Sequence, residues 1–276
     1  MRSSRSVAVI TGGSSGLGAE FARCAAADGH DLILVARQQE RLEAVAAPLR
    51  EAYGVKVTCR PLDLCDRGAL EAFCEELRAG NVVVDAFVNN AGFALMGAFS
   101  DADPRRVAAL VDVNIGAMSL LLRAVLPGMV ARRKGKVLNV ASLAAYQPGP
   151  GAAEYFASKA YVKSLSEAVA HEVRGTGVKV LTLCPGPVNT PFARSSGLAS
   201  TWLYSGLLGL ETPARVANLA WKRVEHGSRT LVPGYIPKTL AVLSTVIPDF
   251  IRLRLTRFST TEKGAGDPAI ATQRCS

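Results

Sequence analysis

The chain has 276 residues, 49% hydrophobic and 20% charged, which is ample for one well-buried core and ordinary for a globular protein. Its net charge of +9 admits nucleic acid, an anionic membrane surface or an anionic small ligand, but Arg and Lys are scattered and no basic stripe is interleaved with aromatics, which speaks against nucleic acid. The six cysteines form no Cys-x-x-Cys pair and the three histidines show no metal-ligand spacing, so the expectation is reduced thiols, no metal and a cytoplasmic location. No signal peptide is visible, and no uninterrupted apolar run reaches membrane-spanning length.

In chain order, short apolar runs alternate with helical patterns. Residues 7–10 read as a buried strand, 16–28 as a helix, 32–35 as a strand and 38–53 as a helix. The pattern repeats with 55–58 and 67–79, then 83–88 and a long helix over 104–132, then 136–140 and 153–175. A sixth strand at 178–183, a helix at 213–226 and a short strand near 230–232 follow. The strands are rich in Val, Ile and Leu and end at Gly, Asp or Asn, as buried parallel strands do. The alternation predicts an α/β fold: a doubly wound parallel sheet of about seven strands, helices on both faces, in one domain over residues 1–276. From 261 to 276 the chain is polar and reads as a flexible tail.

The first strand runs into Thr11-Gly12-Gly13-Ser14-Ser15-Gly16-Leu17-Gly18 and then a helix. Glycines let backbone amides approach a pyrophosphate, and the helix N-terminus faces that anion with free N–H groups. The spacing is Gly-x-x-x-Gly-x-Gly rather than the general dinucleotide fingerprint. At the end of the second strand, a carboxylate would select NAD and an arginine NADP. Here the strand ends Ala36-Arg37-Gln38, so Arg37 is expected to pair with a 2′-phosphate and the cofactor to be NADP(H). Further on, Tyr155 and Lys159 stand four residues apart in a helical segment and so share a face. A lysine cation beside a phenol stabilises the phenolate.

Taken together, these pieces resemble the short-chain dehydrogenase/reductase family in its short single-domain branch, over roughly residues 6 to 192. The resemblance rests on Thr11-Gly12 with Gly16-Leu17-Gly18, Asp63-Leu64, Asn89-Asn90-Ala91-Gly92, Asn114, Ser142, Tyr155 with Lys159, and Pro185-Gly186-Pro187-Val188-Asn189-Thr190, all in family order. It implies a Rossmann-type fold and a catalytic set of Asn114, Ser142, Tyr155 and Lys159. By the resemblance Tyr155 is the acid or base, Ser142 bonds the substrate oxygen, Lys159 lowers the tyrosine pKa and binds the nicotinamide ribose, and Asn114 holds a relay water. It implies cofactor contacts from Gly12, Ser14, Ser15, Gly16, Leu17 and Gly18, and from Arg37. Asp63 and Leu64 would meet adenine, and Asn90, Ala91 and Gly92 the adenosine ribose. Pro185, Gly186, Val188 and Thr190 would pack on the nicotinamide. Ser142 can also be a cap and Asn114 a turn former, and the Asn89–Gly92 stretch can equally be a brace within the sheet. The intact catalytic set argues against a silent cofactor-binding regulator. A homodimer or homotetramer is implied by the same resemblance.

Residues 191–212 hold Phe192, Trp202, Leu203, Leu207 and Leu208 among Gly and Ser. The resemblance makes this segment a lid, and its apolar content suggests a hydrophobic carbonyl or alcohol substrate. Residues 235–260 form an apolar extension ending in arginines, similar to a subgroup of acyl-chain and steroid ketone reductases. It can rest on a membrane surface, cover the substrate pocket or meet a partner subunit.

Overall fold

The computed structural model describes residues 6–79, 82–204, 210–227, 229–244 and 247–261. Residues 205–209 of the expected lid, with Leu207 and Leu208, and the expected tail beyond 261 lie outside the described residues. Seven strands form one parallel sheet: β1 (Val7–Thr11), β2 (Asp31–Ala36), β3 (Val57–Pro61), β4 (Val84–Asn89), β5 (Gly135–Val140), β6 (Val178–Leu183) and β7 (Thr230–Leu231). Their order is β3-β2-β1-β4-β5-β6-β7. The chain starts at the centre, winds outward to β3, then returns to β4 and winds the other way. The carboxyl ends of β1 and β4 therefore open a crevice where the winding reverses.

Helices cover both faces. On one lie α1 (Gly16–Ala27), α2 (Gln39–Tyr53) and α8 (Pro213–Glu225); on the other lie α3 (Arg67–Arg78), α5 (Met118–Ala131) and α6 (Ala153–Glu172). Strand alternation splits the core accordingly. Ala8, Ile10, Leu32 and Leu34 pack under the first set, while Val9, Ile33, Val35 and Phe87 pack under the second. Local chemistry ends the helices where the sequence suggests. Asp66 caps α3 by accepting from Ala69 N at 3.0 Å, Thr212 caps α8 ahead of Pro213, and Gly54 closes α2 at φ 62°.

The predicted helix over 104–132 is not one regular helix. It comprises α4 (Pro104–Val111), a π-helical segment (Asp112–Ala117) and α5. The run Pro104–Ala131 is long and apolar enough to cross a membrane, and half of its most apolar stretch is buried against the rest of the fold. The strand expected at 55–58 begins and ends later, because β3 stays in register with β2 as far as Ala36↔Pro61. After β6 come α7 (Pro191–Ser195) and two 3₁₀ turns, Leu198–Ser200 and Trp202–Tyr204. The expected extension at 235–260 folds as α9 (Tyr235–Leu243) and α10 (Asp249–Thr260).

Candidate active site

A cavity of about 710 Å³ runs along the crevice. Its floor begins at the turn between β1 and α1. Gly12 and Gly16 sit at φ 65° and 54°, and a Cβ on Gly18 would come within 2.1 Å of the Gly12 carbonyl oxygen. Only glycines allow this turn to fold so tightly, and the tightness exposes the backbone to the cavity. Gly12, Ser14, Ser15, Gly16 and Leu17 line it; Gly18 lies behind, packed on Gly12.

The turn is tied across the sheet. Thr11 Oγ1 accepts from Asn90 N and Ala91 N, both at 3.0 Å, and Asn90 Nδ2 donates to Thr11 O at 3.0 Å. Asn89 Nδ2 donates to Met118 O at 2.9 Å. The Asn89–Gly92 stretch thus braces the open end of the sheet while Asn90, Ala91 and Gly92 line the cavity. Arg37, Asp63 and Leu64 line the far end; Asp63 also accepts from Cys65 N at 3.0 Å. Two cations that sequence reasoning did not single out also line the cavity: Arg41 in the first turn of α2 and Arg106 on α4.

At the opposite end stand Ser142, Tyr155 and Lys159, with Pro185, Gly186, Val188 and Thr190 on the same cavity. Ser142 lies near enough to the Tyr155 hydroxyl to favour its ionised form, and its Oγ caps the following 3₁₀ turn by accepting from Ala144 N at 3.1 Å. Lys159 Nζ lies 5.8 Å from the Tyr155 ring centre and donates to Val140 O at 2.9 Å. Asn114 does not line the cavity; it is buried in the π segment just behind it. Its amide accepts from Phe93 N at 3.0 Å and donates to Phe93 O and Ser158 Oγ, and Ser158 in turn donates to Tyr155 O at 2.8 Å. Both Nδ2 hydrogens are committed, so the side chain acts as a brace between the β4 loop and the helix that carries Tyr155. Gly92 fits between them, since a Cβ there would lie 2.9 Å from Asn114 Oδ1 and 3.5 Å from Lys159 Nζ.

The profile of the short chain dehydrogenase family matches residues 6–200. The chain belongs to that family. Among its relatives, an uncharacterised oxidoreductase of Staphylococcus saprophyticus is 33% identical over 68% of this chain and 80% of its own length. An NADP-dependent 3-hydroxy acid dehydrogenase of Salmonella typhi is 34% identical over 66% of this chain and 72% of its own. A solved short-chain dehydrogenase from Sphingobium yanoikuyae, in complex with NADPH, superposes with a TM-score of 0.79 at 28% identity, over 95% of this chain and 98% of that one. Across the other curated relatives the chain covers between 52% and 79% of their length.

In this short-chain dehydrogenase, burial governs the ionisation of the two central groups. Desolvation pushes the Tyr155 phenol well up, and the nearby Ser142 hydroxyl only partly offsets it. Burial pushes Lys159 down to about 8. Beyond Tyr155 the cavity wall turns apolar. Tyr155, Phe156, Leu198 and Ala144 form a small cluster with Phe192 and Tyr204 packed against it, and the Phe192 ring lies 6.0 Å from that of Tyr155.

Proposed function

We propose that this dehydrogenase reduces hydrophobic ketones or aldehydes to alcohols with NADP(H), using Tyr155 as the general acid, and runs the reverse reaction with the same groups. One observation carries the reading. Tyr155, beside Ser142, sits where an apolar wall meets a long groove whose other end is lined by Arg37, with no carboxylate where β2 ends at Ala36-Arg37-Gln38. The groove fits the dinucleotide. The glycine turn exposes amides and a helix N-terminus for a pyrophosphate. Arg37 suits a 2′-phosphate, with Arg41 and Arg106 adding positive charge beside it. The NADPH-bound relative and the NADP-dependent 3-hydroxy acid dehydrogenase support that assignment.

When bound, the reduced nicotinamide supplies the hydride. The chain supplies the rest. Asp63 and Leu64 would border the adenine, and Asn90, Ala91 and Gly92 the adenosine ribose. Lys159 would hold the nicotinamide ribose, while Pro185, Gly186, Val188 and Thr190 would pack on the ring. Ser142 donates to the substrate carbonyl oxygen and stabilises the charge that develops there. Tyr155 gives that oxygen its proton. Asn114 keeps Tyr155 and Lys159 in place through Ser158. Phe156, Phe192, Leu198 and Tyr204 exclude water and favour apolar substituents.

A homologous series of methyl ketones tests this. Each methylene buried against that wall is worth up to about 0.8 kcal/mol, so NADPH-dependent kcat/KM should rise up to about four-fold per carbon. A flat series, or a preference for polyols, would set the hydrophobic-substrate reading aside.

A further inference from the structure

The described residues expose seventeen large hydrophobic side chains, and ten of them fall within residues 235–258. On α9, Tyr235 is 92% exposed and Val242 63%, with Ile236, Leu240 and Leu243 on the same side; Pro237 and Ala241 face inward. On α10, Phe250, Leu255 and Phe258 are 68%, 58% and 63% exposed, and Thr256 and Thr260 are the buried positions. Both helices are thus amphipathic in the inverted sense, with the apolar side outward.

The two helices are not loose. Arg252 Nη1 donates to Ser244 O at 2.9 Å and ties α10 to the end of α9. Pro237 packs on Gly186, where a Cβ would come within 3.0 Å of its ring. Thr260 Oγ1 donates to Pro150 O at 2.6 Å, and Phe258 stacks on Trp202 at 5.7 Å. Ser259 reaches the substrate end of the cavity. The outward apolar face is therefore continuous with the rim of the pocket.

Charge decides what covers it. Residues 235–261 carry Lys238, Arg252, Arg254 and Arg257 with one acidic residue, and Arg254 and Arg257 are exposed among the Phe and Leu side chains. A two-fold contact between copies would set this cationic face against itself, and the centres of protein interfaces are poor in charge. An anionic bilayer surface meets both demands: phosphates pair with the arginines, and the apolar side chains enter the acyl boundary beneath.

We propose that α9 and α10 dock this enzyme on an anionic membrane surface, with the pocket rim at the lipid interface. The proposal is independent of the carbonyl chemistry, because docking is read without substrate or cofactor. The test is flotation of the full chain with vesicles of phosphatidylcholine alone and of equal parts phosphatidylcholine and phosphatidylglycerol. We expect binding to the anionic vesicles, released between 0.1 and 1 M NaCl as the screening length falls from about 10 Å to about 3 Å. Phe250→Ser with Leu255→Ser should weaken binding at least about ten-fold through lost apolar insertion. Arg254→Gln with Arg257→Gln should weaken it for anionic vesicles only, and keeps the test open if the first pair disturbs folding, which a melting curve reports. No flotation with either vesicle overturns the proposal, as does binding that both double variants leave unchanged. So does a dimer in sedimentation velocity that Phe250→Ser with Leu255→Ser dissociates, since the face would then lie between two copies. Loss of the ketone activity proposed above leaves the flotation result standing.

Discussion

The two ends of the cavity are built differently. The dinucleotide end is a backbone structure: glycine turns at positive φ, a threonine hydroxyl holding two amides, and the start of a helix. The substrate end is a side-chain structure: Phe192, Leu198 and Tyr204 on short helical turns, strapped down by Trp202, Phe258 and Thr260. Backbone geometry tolerates few alternatives, so one turn holds one kind of ligand. Apolar packing tolerates many, so the same scaffold can admit different carbonyl compounds by exchanging side chains that touch little else.

Tyr155 lies on the boundary, and replacing it gives the largest effect. Tyr155→Phe should lower kcat by about 10²–10⁴-fold, the usual contribution of a positioned proton donor, while NADPH affinity stays near that of the wild type. Steady-state rates beside cofactor titration check this; retention of more than about a tenth of the activity would remove Tyr155 as the acid.

Lys159 tests the boundary through pH. Its folded value of about 8 lies below its ordinary 10.5, so the folded protein binds that proton less tightly than the unfolded chain does. The buried charge is a full penalty below pH 8, and the penalty fades as pH rises toward 10.5. In urea unfolding of the cofactor-free protein, wild type should therefore gain roughly 3 kcal/mol relative to Lys159→Met across that window. A constant difference would mean that Lys159 is not held desolvated.

The two ends can then be perturbed separately. Arg37→Ala should cost NADPH binding roughly 1.5–3 kcal/mol, a ten- to hundred-fold loss, with NADH affinity and ketone preference unchanged. Equal losses for both cofactors would deny Arg37 the 2′-phosphate. Trp202→Ala should give the smallest change. Removing the stacked pair with Phe258 is worth about 0.5–1.5 kcal/mol, and we expect it in KM for bulky ketones with NADPH affinity untouched.

The same contrast explains what the sequence made legible. Gly12, Gly16 and Gly18, Arg37, and Tyr155 with Lys159 are local patterns, and the residues so marked line one cavity or pack immediately behind it. The alternation of apolar runs placed the strands to within a few residues. Arg41 could have been found, since it opens the helix that directly follows Arg37. Arg106 and Ser259 could not, because only the crossing of distant elements brings them to the cavity. The apolar pattern of 235–260 marked helices, but period alone does not say which side faces outward. Nor does it show burial, which sets the direction of the shifts at both Tyr155 and Lys159.

The π segment at Asp112–Ala117 has a consequence for how this chain can vary. A π turn amounts to one inserted residue, which rotates everything after it by about 100° relative to an uninterrupted helix. Here the slip lets α4 present Leu110 to one side and α5 present Leu121 and Val125 to another, while Asn114 points into the gap between. Deleting any single residue in 112–117 would restore a regular helix and put the two halves out of phase with their separate seats. Asn114 apart, substitutions can accumulate along this stretch, but its length behaves as a fixed quantity, like a tooth count in a gear.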